Sequence, residues 1–260
     1  FKQKTAYEIR LSLVGSEMCI RDRCGNRFTE KHLHAAPRAC NPARQSAQCP
    51  RVDTSETDVD ATLRRLRRFH EGLLRTDDLV ERVRFVTDPA TGRLFLPVKP
   101  YIFESGSVTL HIPDDADDAL HVAVVPVPAD PDRDAGCDRY LIYFGRAEQA
   151  RWAALDIESV KHVDLVLDGP EAQHPNPLRS IEARACKKLN AAPHLIASLC
   201  RRRVGVECEN PLLVGIDPFG LDIRARFGII RLEFDAKAKA PEEFANTLRA
   251  LIGEDLELLP

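Results

Sequence analysis

The sequence predicts an α+β protein in which a small antiparallel β-barrel is followed by a compact ααβββα module. Three observations carry that expectation. Between residues 83 and 169, apolar and polar residues alternate in six or seven short runs bounded by turn formers, with little helical pattern between them. Closing such a sheet removes exposed edges, which favours a barrel. Beyond residue 177 the apolar spacing turns helical, then strand-like, then helical again. Between the two patterns, residues 170–177 fall within GPEAQHPNP, whose three prolines and glycine have the composition of a linker.

The elements follow in order. Val59, Leu63, Leu66, His70, Leu73 and Leu74 recur at helical spacing, with Arg64, Arg65, Arg67 and Arg68 mostly on the other side, so residues 59–75 read as an amphipathic helix. Thr76 offers an N-cap to a short turn through Leu79, Val80 and Val83. Strands are expected at 83–87 and 93–99 around Asp88-Pro89-Ala90-Thr91-Gly92, then at 107–112 and 119–127 around an acidic turn. After a loop rich in proline and aspartate, 128–138, further strands are read at 139–145, 151–159 and 160–169. Helices at 178–190 and 193–203, strands at 212–217, 221–226 and 229–234, and a helix at 241–252 complete the chain. Pro218 and Gly220 supply the first turn of that last sheet.

Four segments are therefore expected: 1–51, a leader; 52–169, the barrel; 170–177, the linker; and 178–260, the C-terminal α+β module. The leader is set aside on composition. Residues 1–23 resemble a translated sequencing-library adapter, with Lys2–Glu8 matching one frame of a flow-cell primer and Leu13–Asp22 a transposon mosaic end. Residues 24–51 lack a hydrophobic period and are expected to be disordered or spurious, with Val52 as one natural start. Cys24, His32, His34, Cys40 and Cys49 contain no close ligand pair of the kind zinc requires, so no metal is assigned.

Residues 1–51 hold ten Lys/Arg and four Asp/Glu, which leaves 27 basic and 36 acidic side chains in the remainder, a net charge of about −9. An acidic body argues against nucleic-acid and anionic-membrane binding, both of which need a basic face. No apolar run approaches the ~20 residues that span a bilayer. Cys137, Cys186, Cys200 and Cys208 form no close pair and read as free thiols, which favours a cytoplasmic setting.

No phosphate loop, dinucleotide glycine pattern or hydrolase elbow is present. Some side chains nevertheless suggest a site. His111 and His121 fall on adjacent strands and face each other across a hairpin, either as half-buried structural residues or as an axial haem ligand or weak metal pair. Lys99 and Tyr101 end the second strand, where a barrel presents side chains to its mouth. Arg139 and Arg146 bracket RYLIYFG and form either an arginine fork for a carboxylate or phosphate, or surface ion pairs with Asp138 and Glu148. Tyr140, Tyr143, Phe144 and Trp152 suit a core, a dimer interface or a stack on a flat cofactor.

NPLRSIEARACKKLNAAPHLIASLC and LVGIDPFGLDIRARFGIIRLEFDAKAKAPEEFANTLRALI resemble the domain of unknown function that closes haem-utilisation proteins. In that family a split barrel of the pyridoxamine-phosphate-oxidase type precedes this domain, and residues 83–169 show the matching strand order. The resemblance implies a homodimer with haem or FMN at its interface and a redox or haem-degrading role. Lys99, Tyr101, His111, His121, Arg139 and Arg146 are the expected cofactor-binding residues. The chain departs from the family in carrying Ala192 and Pro193 where an Asp-His pair is usual, and Asp114, Asp115, Asp117 and Asp118 where a flavin phosphate would be held. Those departures point to the alternative, a non-catalytic binding or regulatory module that keeps the fold without the cofactor.

Overall fold

The computed structural model describes residues 56–253, apart from 78, 115, 117 and 148–150. The adapter-like segment, the rest of the leader and the start at Val52 lie outside the described residues. So do Asp115, Asp117 and Glu148.

Helix α1 (Glu56–Arg68) carries the first amphipathic pattern. Leu66 is buried, and Val59, Leu63 and Phe69 pack beside it against the barrel core. The helix stops earlier than its spacing suggests, because the segment that follows is claimed by sheet pairing. Strand β1 (Glu71–Arg75) lies between β2 (Val80–Arg84) and β5 (Thr109–Ile112). Gly72 explains the switch: a Cβ there would stand 2.5 Å from the His111 carbonyl oxygen, so only glycine lets β5 approach.

The remaining barrel strands are β3 (Val86–Thr87), β4 (Leu94–Val98), β6 (Leu120–Ala129), β7 (Arg151–His162) and β8 (Leu165–Asp168). Their order is β2-β1-β5-β6-β7-β4-β3, antiparallel throughout, with β8 added beside β7. The two outermost strands of this path, β2 and β3, are joined by Phe85 alone. A sheet whose opposite edges are one residue apart in the chain has to curl, and it does so into a half-barrel. Phe85 is fully buried at that bend, and its N–H donates to the His70 carbonyl at 2.9 Å. The two strands expected at 151–159 and 160–169 are a single long β7 followed by a turn at Val163, which has a positive φ of 54°, and then β8.

A further sequence expectation is overturned. Residues 139–145 belong to helix α2 (Ala135–Phe144), not to a strand. The apolar run had masked a helical spacing in which Cys137, Tyr140 and Tyr143 bury one face, while Leu141 and Ile142 are left exposed. Gly145, at φ 83°, ends the helix by donating its N–H to the Leu141 carbonyl. Helix α2 covers the outer face of β3 and β4, where Val86, Phe95 and Ala154 meet its buried side.

Residues 170–177 form more than a tether. Helix α3 (Gly169–Ala172) opens on a capping box between Asp168 and Glu171. The Asn176 N–H donates to the Pro89 carbonyl, and its side-chain amide donates to the Ile216 carbonyl at 2.7 Å. Gly92, at φ 79°, brings the β3–β4 turn so close to this segment that a Cβ would meet the His174 carbonyl oxygen at 2.7 Å.

The C-terminal order is the expected one: α4 (Arg179–Asn190), α5 (Pro193–Val204), β9 (Leu212–Asp217), β10 (Gly220–Ala225), β11 (Gly228–Glu233) and α6 (Pro241–Ile252). The three strands form an antiparallel sheet of order β11-β10-β9, with a core of its own from Leu189, Leu199, Ile223, Leu232, Phe234 and Phe244. This part does not stand clear of the barrel: Val214, Leu212 and Ile229 pack into the cluster around α2. Across the same seam, Arg64 donates to the Phe234 carbonyl at 2.8 Å and Lys237 pairs with Asp60 at 2.6 Å.

Because Phe85 is the hinge of the curled sheet, Phe85→Ala should cost about 3–5 kcal/mol in equilibrium urea unfolding. A loss below about 1 kcal/mol would show that this bend does not hold the half-barrel together.

Candidate functional site

The residues expected to bind a cofactor fall in three separate places. Lys99 and Arg146 line a groove of about 400 Å³, together with Arg82, Arg84, Tyr140 and Phe144. There Lys99 pairs with Glu81, and Arg84 with Glu71 at 2.9 Å. Tyr101 stands beside Glu81; burial, then the hydrogen bond to that carboxylate, pushes its hydroxyl up to about 12. His111 and His121 face each other across the β5–β6 ladder, as their spacing predicts, with ring centroids 4.4 Å apart. His111 is buried and His121 exposed. Arg139 belongs to neither group; it lies at the seam between barrel and C-terminal layer.

Around Arg139 the seam gathers a network of buried charges. Its guanidinium donates to Glu182 Oε1 and to the Tyr143 hydroxyl, both at 2.9 Å. Tyr143 in turn donates to Asp222 Oδ2 at 2.8 Å. On the other oxygen, Asp222 accepts from Arg231 at 2.8 Å, and His70 Nε2 stands 3.2 Å away. Arg231 also donates to Asp217 at 2.7 Å. Side-chain exposure is 5% for Asp222, 7% for Arg231 and 10% for His70, so these pairs are held away from bulk water.

The geometry depends on local sequence. Tyr143 reaches Asp222 across Gly215, the residue paired with Asp222 in the sheet. A Cβ at Gly215 would lie 1.9 Å from the Tyr143 hydroxyl and 2.8 Å from Arg139, so the strand passes beneath the helix only as glycine. Glu182 is fixed from a second side, because the Ile216 N–H donates to it at 3.1 Å.

Electrostatics follow from burial and pairing together. Burial would raise the Asp222 carboxyl, but His70 and Arg231 beside it hold it far below the usual carboxylate range. Burial opposes the charge on Arg231 and on Arg139, yet their carboxylate neighbours, and Tyr143 in the case of Arg139, keep both above the ordinary guanidinium value. The Tyr143 hydroxyl is driven well above its ordinary value by burial and then by the Asp222 charge, so it remains a proton donor. Thiols are poor nucleophiles here: burial lifts Cys137 to about 11, and Cys186 and Cys200 to about 12.

Beside the network opens a cavity of about 370 Å³. Leu63, Ile216, Phe219 and Ala172 supply apolar wall, and Pro89, Pro175, Pro177 and Pro218 contribute rings from three loops. Arg67, His70, Arg139, Tyr143, Asp217, Asp222 and Lys237 bring polar groups to the same space. Of these only Arg139 and Tyr143 had been singled out, Tyr143 as a core, interface or stacking aromatic and Arg139 as part of a fork with Arg146 that the structure does not form. Arg67 had been read on the side of the first helix opposite its apolar stripe, and His70 as part of that stripe. The chain shows no signal in one dimension that joins them to Asp222, about 150 positions later. No group of three or more His, Cys, Asp and Glu side chains among the described residues is arranged to hold a metal ion. No helix among them is long and apolar enough to cross a membrane.

No protein-family model and no curated protein matches the chain. Solved structures do. A protein of unknown function from Agrobacterium tumefaciens superposes with a TM-score of 0.58 at 18% identity, covering 79% of this chain and 100% of that one. A heme binding protein from Mycobacterium smegmatis gives a TM-score of 0.36 at 15% identity, covering 76% and 97%. The first likeness bears on the fold, and the half-barrel fits a split-barrel fold.

The Asp222 carboxyl is depressed in the folded state, so its pairing stabilises the fold above the unfolded value near 3.9 and loses that contribution as pH falls through the lower folded value. Asp222→Asn should therefore flatten the acid limb of the stability profile below about pH 4 while costing about 3–5 kcal/mol at pH 7, because Arg231 loses a buried partner. Chemical denaturation from pH 2 to pH 7 measures both effects. An unchanged acid limb in the variant would refute this account of the carboxylate.

Proposed function

We propose that this chain is a ligand-binding split-barrel protein whose site is the cavity at the seam between the half-barrel and the C-terminal layer. The observation that carries the reading is the cavity itself: about 370 Å³, walled by apolar side chains and bordered by a fixed network of buried polar groups. Small-molecule sites have this composition, with a mostly apolar lining and a few placed polar groups, and their volumes run from ~300 to ~1,000 Å³. The proline rings and the Asn176 tie hold the walls in place before a ligand arrives, which lowers the cost of binding. The volume suits a compact organic molecule.

A second reading has its own observation. In the groove that Lys99 lines, Arg146 and Arg82 stand near Tyr140 and Phe144, and no carboxylate within pairing distance of either cation is found among the described residues. Cations beside aromatic faces suit a planar anionic cofactor of the haem class, bound between two copies of the chain, with a redox or haem-degrading role. A cofactor-free binding module uses the same surface without it.

Two measurements separate the readings. In a fragment screen by protein-observed NMR, small molecules should shift resonances of Leu63 and Phe219, and Leu63→Trp should remove those shifts by filling the cavity. Absence of any fragment effect at these residues would sink the seam site. An absorbance titration with haem and with FMN addresses the groove. A Soret band or flavin change that saturates at one equivalent, and weakens at least tenfold in Lys99→Ala/Arg146→Ala, would favour the planar cofactor. A featureless titration would remove it.

A further inference from the structure

Resting on the seam cavity as the ligand site, we propose that its ligand is a small organic monocarboxylate, clamped by the Arg67 guanidinium.

The cations around the cavity are not equivalent. Arg139 is paired with Glu182, Arg231 with both Asp217 and Asp222, and Lys237 with Asp60, all between 2.6 and 2.9 Å. Arg67 touches none of these carboxylates; its hydrogen bond runs to the backbone carbonyl of His174 at 3.4 Å, long for a charged donor. The side chain is half-buried and lines the cavity. Burial, and after it the balance of charges from Asp217, Arg231, Arg139 and Asp222, leaves the group below its ordinary value. A guanidinium nevertheless remains charged at neutral pH. Arg67 is therefore a half-buried cation with donors to spare at the cavity wall.

Charge counting sets the class of its partner. The guanidinium groups of Arg67, Arg139 and Arg231 face the carboxylates of Glu182, Asp217 and Asp222, and the cavity wall adds the buried Asp88, whose carboxylate accepts from the Thr91 N–H and hydroxyl. A single negative charge placed on Arg67 gains a planar, two-point contact while adding one charge to the site. A phosphate monoester carries close to two charges near pH 7. Its second charge would face Asp217 and Asp222, with every other cation of the wall already paired. The remaining wall is Leu63, Pro89, Ile216, Pro218 and Phe219, which asks for an apolar body on the carboxylate.

Calorimetric titration of the full chain with benzoate, benzyl alcohol and phenyl phosphate tests this. Benzoate should bind at least tenfold more tightly than either of the others. Arg67→Met should erase that preference while leaving the alcohol unchanged, and Arg67→Lys should restore part of it. The Met variant removes a poorly paired charge and keeps the length of the side chain, so it is expected to fold, and a retained melting transition checks that. Equal binding of benzoate and the alcohol in the wild type, tighter binding of phenyl phosphate, or an unaltered preference in Arg67→Met would overturn the carboxylate class while leaving the cavity as a site. Loss of nothing in Leu63→Trp, or no binding of any of the three at millimolar concentration, would overturn the seam site itself.

Discussion

Asp222 is buried on the middle strand of a three-stranded sheet, and everything around it is arranged to keep its charge paired. Removing a carboxylate from water costs several kcal/mol unless partners close around it. Here they come from four elements: Tyr143 from helix α2, Arg231 from the neighbouring strand, His70 from the turn after α1, and, one step further out, Arg139 with Glu182. Each partner fixes the position of the element that carries it. Helix α2 cannot slide along the sheet without drawing Tyr143 away from Asp222 or into β9 at Gly215.

The same constraint makes room for the cavity. Close packing across the seam succeeds where Val86, Phe95, Cys137 and Val214 interdigitate. A few residues away, side chains committed to hydrogen bonds cannot turn to fill the space between α1, the β3–β4 turn and the β9–β10 turn. Prolines border that space, and a ring with fixed φ has little freedom to collapse inward. The result is a void held open by polar pairs on one side and stiff loops on the other.

The sequence discloses the parts that repeat a local period and little of what joins them. The strands from 93 to 127 and every element after 178 could be read because alternation and helical spacing survive in the chain itself. Residues 139–145 could not: seven residues with Tyr, Leu, Ile, Tyr and Phe fit a buried strand as well as a helix, and only the face buried at Cys137, Tyr140 and Tyr143 decides. The end of α1 was hidden for a related reason, since Leu73 and Leu74 continue the helical spacing while Gly72 is needed by β5. His111 and His121 were correctly placed opposite one another because a hairpin is local. Arg139 was noticed as a cation, but its partners Glu182 and Asp222 lie 43 and 83 positions away and belong to elements whose docking no local pattern specifies.

The location of the charges bears on what the seam is for. Replacing a buried ion-pair network with apolar side chains of similar volume is often neutral or stabilising, so stability alone gives little reason to bury three guanidinium groups and three carboxylates. The chain packs apolar residues across this same seam at Val214 and Phe95, which shows that such a joint is available to it. The charged cluster borders the cavity and includes one guanidinium that pairs with no carboxylate among the described residues. A network built only to fasten two layers would close on itself. In this one Arg67 is left with a backbone carbonyl for a partner, on the side where the protein has left space, and a bound anion would pair its charge.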